Sequence, residues 1–132
     1  MSKIIFISFS LDDENQRGLL KGLSMETDEE FEFVDMNDKL PLDEEWRGEL
    51  REKVKSSSGA IVLVSKATLS SEGQQLEIKI LLEENKKILP MWTYTDDRTT
   101  LDGVKGFQGL KPVPWKWDDI EDFIDQRDAG SD

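Results

Sequence analysis

The sequence predicts an α/β fold of the flavodoxin-like type, a three-layer sandwich whose five-stranded parallel sheet has the strand order 2-1-3-4-5. One reason is the unbroken apolar runs at residues 4–7 and 60–64, which are typical of strands buried on both faces. Another is the alternation of such runs with helical patterns, which builds parallel sheets through right-handed crossovers. The length of 132 residues fits a single domain, which we place at 1–128 with a flexible tail at 129–132.

The first elements are a strand, a helix and a second strand. Strand one covers residues 4–7 and ends near Ser8. Helix one is predicted over 10–23, because polar residues precede leucines that share one helical face. Strand two, at 31–34, is expected nearer an edge of the sheet, since Glu32 interrupts its apolar run.

The middle of the chain contains the clearest helix and the expected centre of the sheet. Helix two is predicted because apolar side chains recur every four residues, at Leu42, Trp46, Leu50 and Val54. Strand three follows at 60–64 and is the best candidate for the central strand. Helix three is predicted from Ser71 to about Asn85, and Ser71 with Gln74 fits a capping box at its start.

The last third of the chain predicts two strands near one edge of the sheet and a final helix. Strand four covers residues 88–92, where Pro90 lacks the donor that a central strand requires. The polar, glycine-containing stretch at 95–111 is expected to be irregular. A short edge strand at 112–115 and a helix from Trp117 to about Gln126 complete the fold.

Composition excludes several classes of function. The net charge of 17 − 29 = −12 opposes binding to phosphate backbones, so nucleic acid and anionic membranes are poor partners. The chain has no Cys and no His, which rules out disulfides, thiolate or imidazole metal sites and the Ser-His-Asp triad. We therefore expect no metal, and any chemistry must use carboxylates, hydroxyls, Lys or Arg. The apolar run after Lys3 is too short for a signal peptide, which favours a cytoplasmic protein.

The fold places a ligand site beyond the carboxyl ends of strands one and three, where the strand order reverses. Three loops are expected to meet there, at residues 8–13, 35–41 and 65–71, and all are rich in hydroxyls and carboxylates. Ser and Asp at such junctions also cap helices, and capping is compatible with ligand contact.

Two ligand-binding members of this fold class match the loops poorly. A receiver domain needs a phosphoacceptor Asp after strand three, where this chain has Ser65, although Asp12, Asp13, Thr93 and Lys116 fill other receiver positions. A flavodoxin needs a glycine-containing phosphate loop after strand one, where this chain has two aspartates and no Gly.

Two motifs fit a third family better. Residues 3–13 resemble the opening of Toll/interleukin-1 receptor (TIR) domains, in which Phe-Ile-Ser ends the first strand and Asp follows. Residues 65–77 keep the family's spacing from Ser71 to Glu77 but carry Gly73 in place of Trp. The resemblance spans about residues 3–126 and is closest to the short TIR-like proteins of prokaryotes, including the TIR-like component of the Thoeris antiphage system.

This resemblance implies a site that acts on NAD as a substrate, with no separate cofactor. Glu77 takes the position of the carboxylate that contacts the nicotinamide ribose, and a carboxylate can stabilise an oxocarbenium-like transition state without His or metal. We expect Glu77 to face the cleft between the loops after strands one and three, within reach of Phe9 and Ser10. The resemblance also implies these pocket residues: Ser8, Phe9, Ser10, Asp35, Ser65 and Ser71.

Three functions stay open from the sequence. The preferred one is cleavage or cyclisation of NAD to an ADP-ribose-derived product or signal in prokaryotic antiviral defence. The alternative is a non-catalytic TIR-like scaffold that works by self-association or through an effector protein, which Gly73 favours and Glu77 opposes. A third reading is a nucleoside-processing glycosyltransferase, because related flavodoxin-like enzymes also use a Glu at a ribosyl carbon. Glu77 could also be an ordinary solvated helix residue.

Overall fold

The computed structural model describes residues 3–24, 31–36 and 42–129. Strands and helices alternate along these residues as the sequence predicts. Two short 3-10 turns, Leu11–Asp13 and Lys66–Ser70, precede the first and third helices. The strands are β1 (Lys3–Ser8), β2 (Phe31–Val34), β3 (Gly59–Val64) and β4 (Lys87–Trp92); the helices are α1 (Glu14–Ser24), α2 (Glu44–Lys55), α3 (Glu72–Glu83) and α4 (Trp117–Ala129).

The four strands form one parallel sheet in the order β2-β1-β3-β4. Ser8 at the end of β1 pairs with Val62 of β3, so these two strands end side by side. All six residues of β3 are buried, which confirms that the run at 60–64 forms a central strand. The carboxyl ends of β1 and β3 therefore lie where the expected ligand site was placed.

The fifth strand of the prediction is wrong. Val113 forms one isolated parallel bridge to Met91, and the stretch at 112–115 is otherwise irregular. Val113 donates its N–H to the Pro90 carbonyl and accepts from the Trp92 N–H. Continued pairing with β4 would use the backbone groups two positions away, at Lys111 and Trp115, and the bridge reaches neither. Pro112 and Pro114 turn their backbone nitrogens to the other side, away from β4. The sheet therefore has four strands.

Helices cover both faces of the sheet, as a three-layer sandwich requires. On one face the strands pack against α2 and α3, and this cluster includes Trp46 beneath α2. On the other face they pack against Leu20 of α1 and against Ile120 and Ile124 of α4. Successive residues of β1 contribute to opposite faces, so Phe6 belongs to the first cluster and Ile7 to the second.

Smaller differences concern the ends of elements. The last helix continues to Ala129 rather than ending near Gln126, which places it across the predicted start of the tail. The predicted loop at 35–41 is described only at Asp35 and Met36; residues 37–41 and 130–132 lie outside the described residues. Each helix in the described ranges is too short or too polar to cross a lipid bilayer.

Candidate functional site

A small polar cluster lies between α3 and the carboxyl ends of β1 and β3. It consists of Ser8, Gln74 and Glu77, and we call it the Glu77 cluster. Ser8 follows Phe6 by two residues and so shares its face of the sheet, the face that α3 covers. The Ser8 hydroxyl donates a hydrogen bond to Glu77 Oε1 at 3.0 Å. This contact joins the two TIR-like sequence motifs, although the two residues are 69 positions apart in the sequence.

Glu77 is completely buried, with an exposed fraction of 0%. The sequence predicted a carboxylate facing a cleft, and the structure encloses the Glu77 side chain beside Ser8. Carboxylates are seldom fully buried unless they are paired or hydrogen-bonded, because loss of hydration disfavours the charge. The Ser8 hydroxyl supplies one such bond. The role of solvated helix residue is therefore excluded for Glu77.

Gln74 is the other buried polar residue of α3 in this cluster. Its Nε2 donates to the carbonyl of Ser8 at 3.2 Å and to the carbonyl of Leu63 at 2.8 Å. The amide group therefore bridges the carboxyl ends of β1 and β3. Its Oε1 is buried and has no hydrogen-bond partner. Rotating the amide by half a turn would set Oε1 against two carbonyl oxygens, so the hydrogen bonds fix the orientation.

A second cluster ties together the loops after β1, β3 and β4. Asp13, Ser65 and Tyr94 form it, and we call it the Asp13 cluster. Asp13 is buried, and it accepts hydrogen bonds from the Ser65 hydroxyl and, at 2.8 Å, from the Tyr94 hydroxyl. Ser65 also caps the turn Lys66–Ser70: its hydroxyl accepts from the Ala67 N–H, and its own N–H donates to Thr68.

The Asp13 cluster borders an open cavity of about 390 Å³ at the carboxyl edge of the sheet. Burial, with the hydrogen bond to Asp13 and the negative charges nearby, raises the pKa of Tyr94 to about 12. Burial alone would raise the pKa of Asp97, but hydrogen bonds from Thr99 and from the Lys66 N–H outweigh it and hold that pKa below its usual value. At neutral pH the cavity therefore presents the protonated phenol of Tyr94 and the ionised carboxylate of Asp97.

Asp35, at the end of β2, is paired with cations. Lys21 Nζ lies 2.7 Å and Arg17 Nη1 3.5 Å from Asp35 Oδ2, and the Asp35 side chain is buried. The Arg17 guanidinium also lies over the ring of Phe9, 5.1 Å from its centroid. Phe9 packs in the cluster on the α1 and α4 side of the sheet. Phe9 and Asp35 are thus linked through Arg17.

Ser10 and Ser71 cap helical turns. The Ser10 hydroxyl accepts from the Asp12 N–H at the start of the turn Leu11–Asp13. The Ser71 hydroxyl accepts from the Gln74 N–H at the start of α3. This confirms half of the predicted capping box, because the Gln74 side chain turns to the strands instead of back to Ser71.

The structure therefore brings together only some of the predicted site residues. Ser8 and Glu77 meet directly, whereas Ser65 joins the Asp13 cluster and Asp35 joins the Arg17 ion pair. That Ser8, Phe9, Ser10, Asp35, Ser65, Ser71 and Glu77 form one NAD pocket stays a prediction.

Gln74 was predicted from the sequence only as part of a capping box, and its place in the Glu77 cluster was missed. A signal was present, because Gln74 and Glu77 stand on the same helical face as Ile78 and Leu81. Two polar residues within the buried face of a helix are unusual. Such an interruption marks a place where polar side chains must find partners inside the fold.

A more spacious groove than the cavity beside the Asp13 cluster lies elsewhere. It has a volume of about 930 Å³ and runs between α2, α3 and the loop at 104–107. None of the predicted site residues is among the described residues that line it. Most of its surface is apolar, although charged side chains such as Arg47 and Lys79 also line it. We place the candidate site at the Glu77 cluster, because buried hydrogen-bonding groups converge there at the carboxyl edge of the sheet.

Comparisons with known proteins agree with this fold. A family model described as the TIR-like domain of the Thoeris protein ThsB matches residues 6–98. Among solved structures, the TIR domains of the activated Roq1 resistosome, described as directly recognizing the pathogen effector XopQ, align with a TM-score of 0.59 and 22% identity. That alignment covers 97% of this chain and 76% of the other. Comparison with curated proteins finds no match.

Proposed function

Because the chain belongs to the TIR-like domain family of the Thoeris protein ThsB, we propose that it breaks the bond between nicotinamide and ribose in NAD. The observation that carries this proposal is the buried carboxylate of Glu77, held by the Ser8 hydroxyl at the carboxyl edge of the sheet. Ligands of parallel α/β folds bind at this edge.

The proposed reaction needs one well-placed negative charge. When the bond between ribose C1′ and the nicotinamide nitrogen breaks, its electron pair leaves with nicotinamide, which becomes neutral. Positive charge develops on the ribose, and Glu77 stabilises it electrostatically. Water then attacks C1′ and loses a proton, which gives ADP-ribose. If a nucleophilic group of the same molecule attacks instead, the product is cyclic.

Burial strengthens this effect. An interaction between opposite charges is stronger in a site from which water is excluded than in bulk water. The bond from Ser8 limits the movement of Glu77, so little reorganisation is needed when charge develops. The same burial requires that the site open before NAD can enter.

Assembly offers one route to an open site. The solved relative contains TIR domains within an activated resistosome. By that likeness we propose that this chain also self-associates or docks on an effector protein, and that association opens the Glu77 cluster. We place this activity in the cytoplasm, in prokaryotic antiviral defence.

Two observations favour the alternative of a non-catalytic scaffold. Gly73 occupies the position of the family's Trp, and the Glu77 cluster is closed in the single chain. A scaffold would use the same fold for association and would leave NAD unchanged.

Incubation of concentrated protein with NAD separates the two functions. We expect release of nicotinamide with linear or cyclic ADP-ribose, detected by mass spectrometry. High protein concentration is needed because association is part of the proposal. If no NAD is consumed at any concentration, with or without lysate from phage-infected cells as trigger, the scaffold is the correct function.

A further inference from the structure

The unpaired carbonyl oxygen of Gln74 is the feature of the described structure that most needs an explanation. The side chain is fully buried, and Oε1 is one of few buried side-chain atoms there without a hydrogen-bond partner. Buried polar groups of native proteins nearly always have partners, so such an exception requires a physical explanation.

We propose that Gln74 Oε1 accepts a hydrogen bond from a hydroxyl of the nicotinamide ribose, which makes Gln74 a specificity-determining residue for a ribose diol. This inference rests on the proposed function, because it takes the ribose to be the group that Glu77 engages. The inference adds Gln74 to Glu77 as a second acceptor on α3. It also names the group of the substrate that Gln74 binds, a hydroxyl of the ribose.

The geometry of α3 supports two neighbouring acceptors. Gln74 and Glu77 are three residues apart, so their side chains leave the helix on one face about 5–6 Å apart at Cβ. Both are tied to Ser8: Gln74 Nε2 donates to its carbonyl, and Glu77 Oε1 accepts from its hydroxyl. Ser8 therefore holds both side chains in place on one face of α3, and this face carries two acceptor groups, as a ligand with two adjacent hydroxyl donors requires.

The fixed orientation of the Gln74 side-chain amide makes the position selective for a ligand with a hydroxyl donor. The carbonyls of Ser8 and Leu63 use the two N–H groups of Gln74, so the amide cannot turn over to present Nε2 in the place of Oε1. At this position Gln74 can therefore accept a hydrogen bond from a hydroxyl but cannot donate one. A ligand without that hydroxyl leaves Oε1 buried and unpaired, and sites built for a hydroxyl strongly reject such analogues.

The test compares NAD with two analogues, one without the 2′-hydroxyl and one without the 3′-hydroxyl of the nicotinamide ribose. Dissociation constants are measured by calorimetry for the wild type and for Gln74→Met. We expect the wild type to bind one analogue roughly tenfold more weakly than NAD, whereas Gln74→Met binds NAD and that analogue within about twofold of each other.

Gln75 provides a matched control on the same helix. Its Nε2 also donates to two backbone carbonyls, those of Thr68 and Leu69, but these lie in the turn before α3. Gln75→Met should keep the wild-type discrimination. If Gln74→Met does not fold, Gln74→Lys replaces it, because an ammonium group can still donate to both carbonyls but has no acceptor.

Each outcome has a distinct meaning. If the wild type consumes NAD but binds NAD and both analogues equally, or if the Gln74 variants keep full discrimination, the role of Gln74 is wrong and Oε1 binds only a buried water. If NAD binds with the expected discrimination but is never consumed, the proposed reaction fails and the role of Gln74 stands. If the wild type binds no NAD, the ribose proposal is overturned.

Discussion

The Glu77 cluster and the Asp13 cluster lie at the same edge of one sheet, yet they differ in how their polar groups are satisfied. In the Asp13 cluster both carboxylate oxygens of Asp13 accept hydrogen bonds, and Ser65 both donates and accepts. In the Glu77 cluster Gln74 has a buried oxygen without a partner. The first cluster borders open solvent space and the second is closed.

This difference in hydrogen bonding distinguishes a cluster that stabilises the fold from one that could bind a ligand. A network whose members all have partners stabilises the fold, and here it ties three loops together. A buried acceptor without a partner costs stability, which is the reason for proposing a ligand at Gln74 Oε1. On this comparison the Asp13 cluster is proposed to support the fold and the Glu77 cluster to bind the ligand.

The largest expected effect concerns Glu77→Gln. This change keeps the size of the side chain and an acceptor for Ser8 but removes the charge, so NAD turnover should fall by roughly 10² or more. Product formation per minute at high protein concentration is the measurement. The control is Glu83→Gln, the same change at an exposed position of α3, which should keep wild-type turnover. Equal turnover by wild type and Glu77→Gln would remove Glu77 from the mechanism.

The next effect concerns the stability of the fold. Asp13→Ala leaves the hydroxyls of Ser65 and Tyr94 without their acceptor, so the free energy of unfolding should fall by about 2–4 kcal/mol. Urea denaturation followed by circular dichroism measures it. Asp12→Ala, an exposed neighbour, should stay within about 0.5 kcal/mol of the wild type. Similar losses in both variants would contradict a supporting role for the Asp13 cluster.

The smallest effect is a titration at high pH. Tyr94 is the single tyrosine of the chain, so absorbance at alkaline pH reports this residue alone. We expect its pKa near the raised value of about 12, and Asp13→Asn should lower it because the hydrogen bond and the charge of Asp13 both raise it. A midpoint at the ordinary value of about 10 would show that Tyr94 does not bind Asp13.

The raised pKa of Tyr94 also makes the free energy of unfolding depend on pH. Since the folded chain holds the Tyr94 proton more tightly than the unfolded chain, this contribution is complete below about pH 10. It decreases as the pH rises towards 12. In Tyr94→Phe that part of the decrease should be absent, and denaturation curves at several alkaline pH values would detect it.

The sequence was sufficient for elements that depend on local pattern. The run at 60–64 and the four-residue recurrence through Trp46, Leu50 and Val54 each identified an element correctly, because burial of one strand or one helical face is encoded locally. Alternation and handedness predicted a parallel sheet, and the order of its first four strands, 2-1-3-4, was predicted as the commonest arrangement of this fold class. The fifth strand was wrong because the segment at 112–115 pairs with β4 only at Val113, and a single bridge does not make a strand.

The site was less accessible to sequence reasoning. The spacing of the second motif located Glu77 in the sequence. Its hydrogen bond inside the fold comes from Ser8, which is 69 positions away. The fixed amide of Gln74 depends on carbonyls of two strands, and the link from Asp13 to Tyr94 spans 81 positions. Such contacts exist only after the chain has folded, so no local pattern contains them.

The prolines beside Val113 also determine how copies of this chain can meet. Edge strands normally invite pairing with another chain, which leads to aggregation. Next to β4, the exposed edge is a segment in which Pro112 and Pro114 cannot donate to an incoming strand. Growth of a continuous β-ribbon is therefore blocked on this side. An ordered assembly on this side would have to use side chains of helices and loops instead of backbone hydrogen bonds.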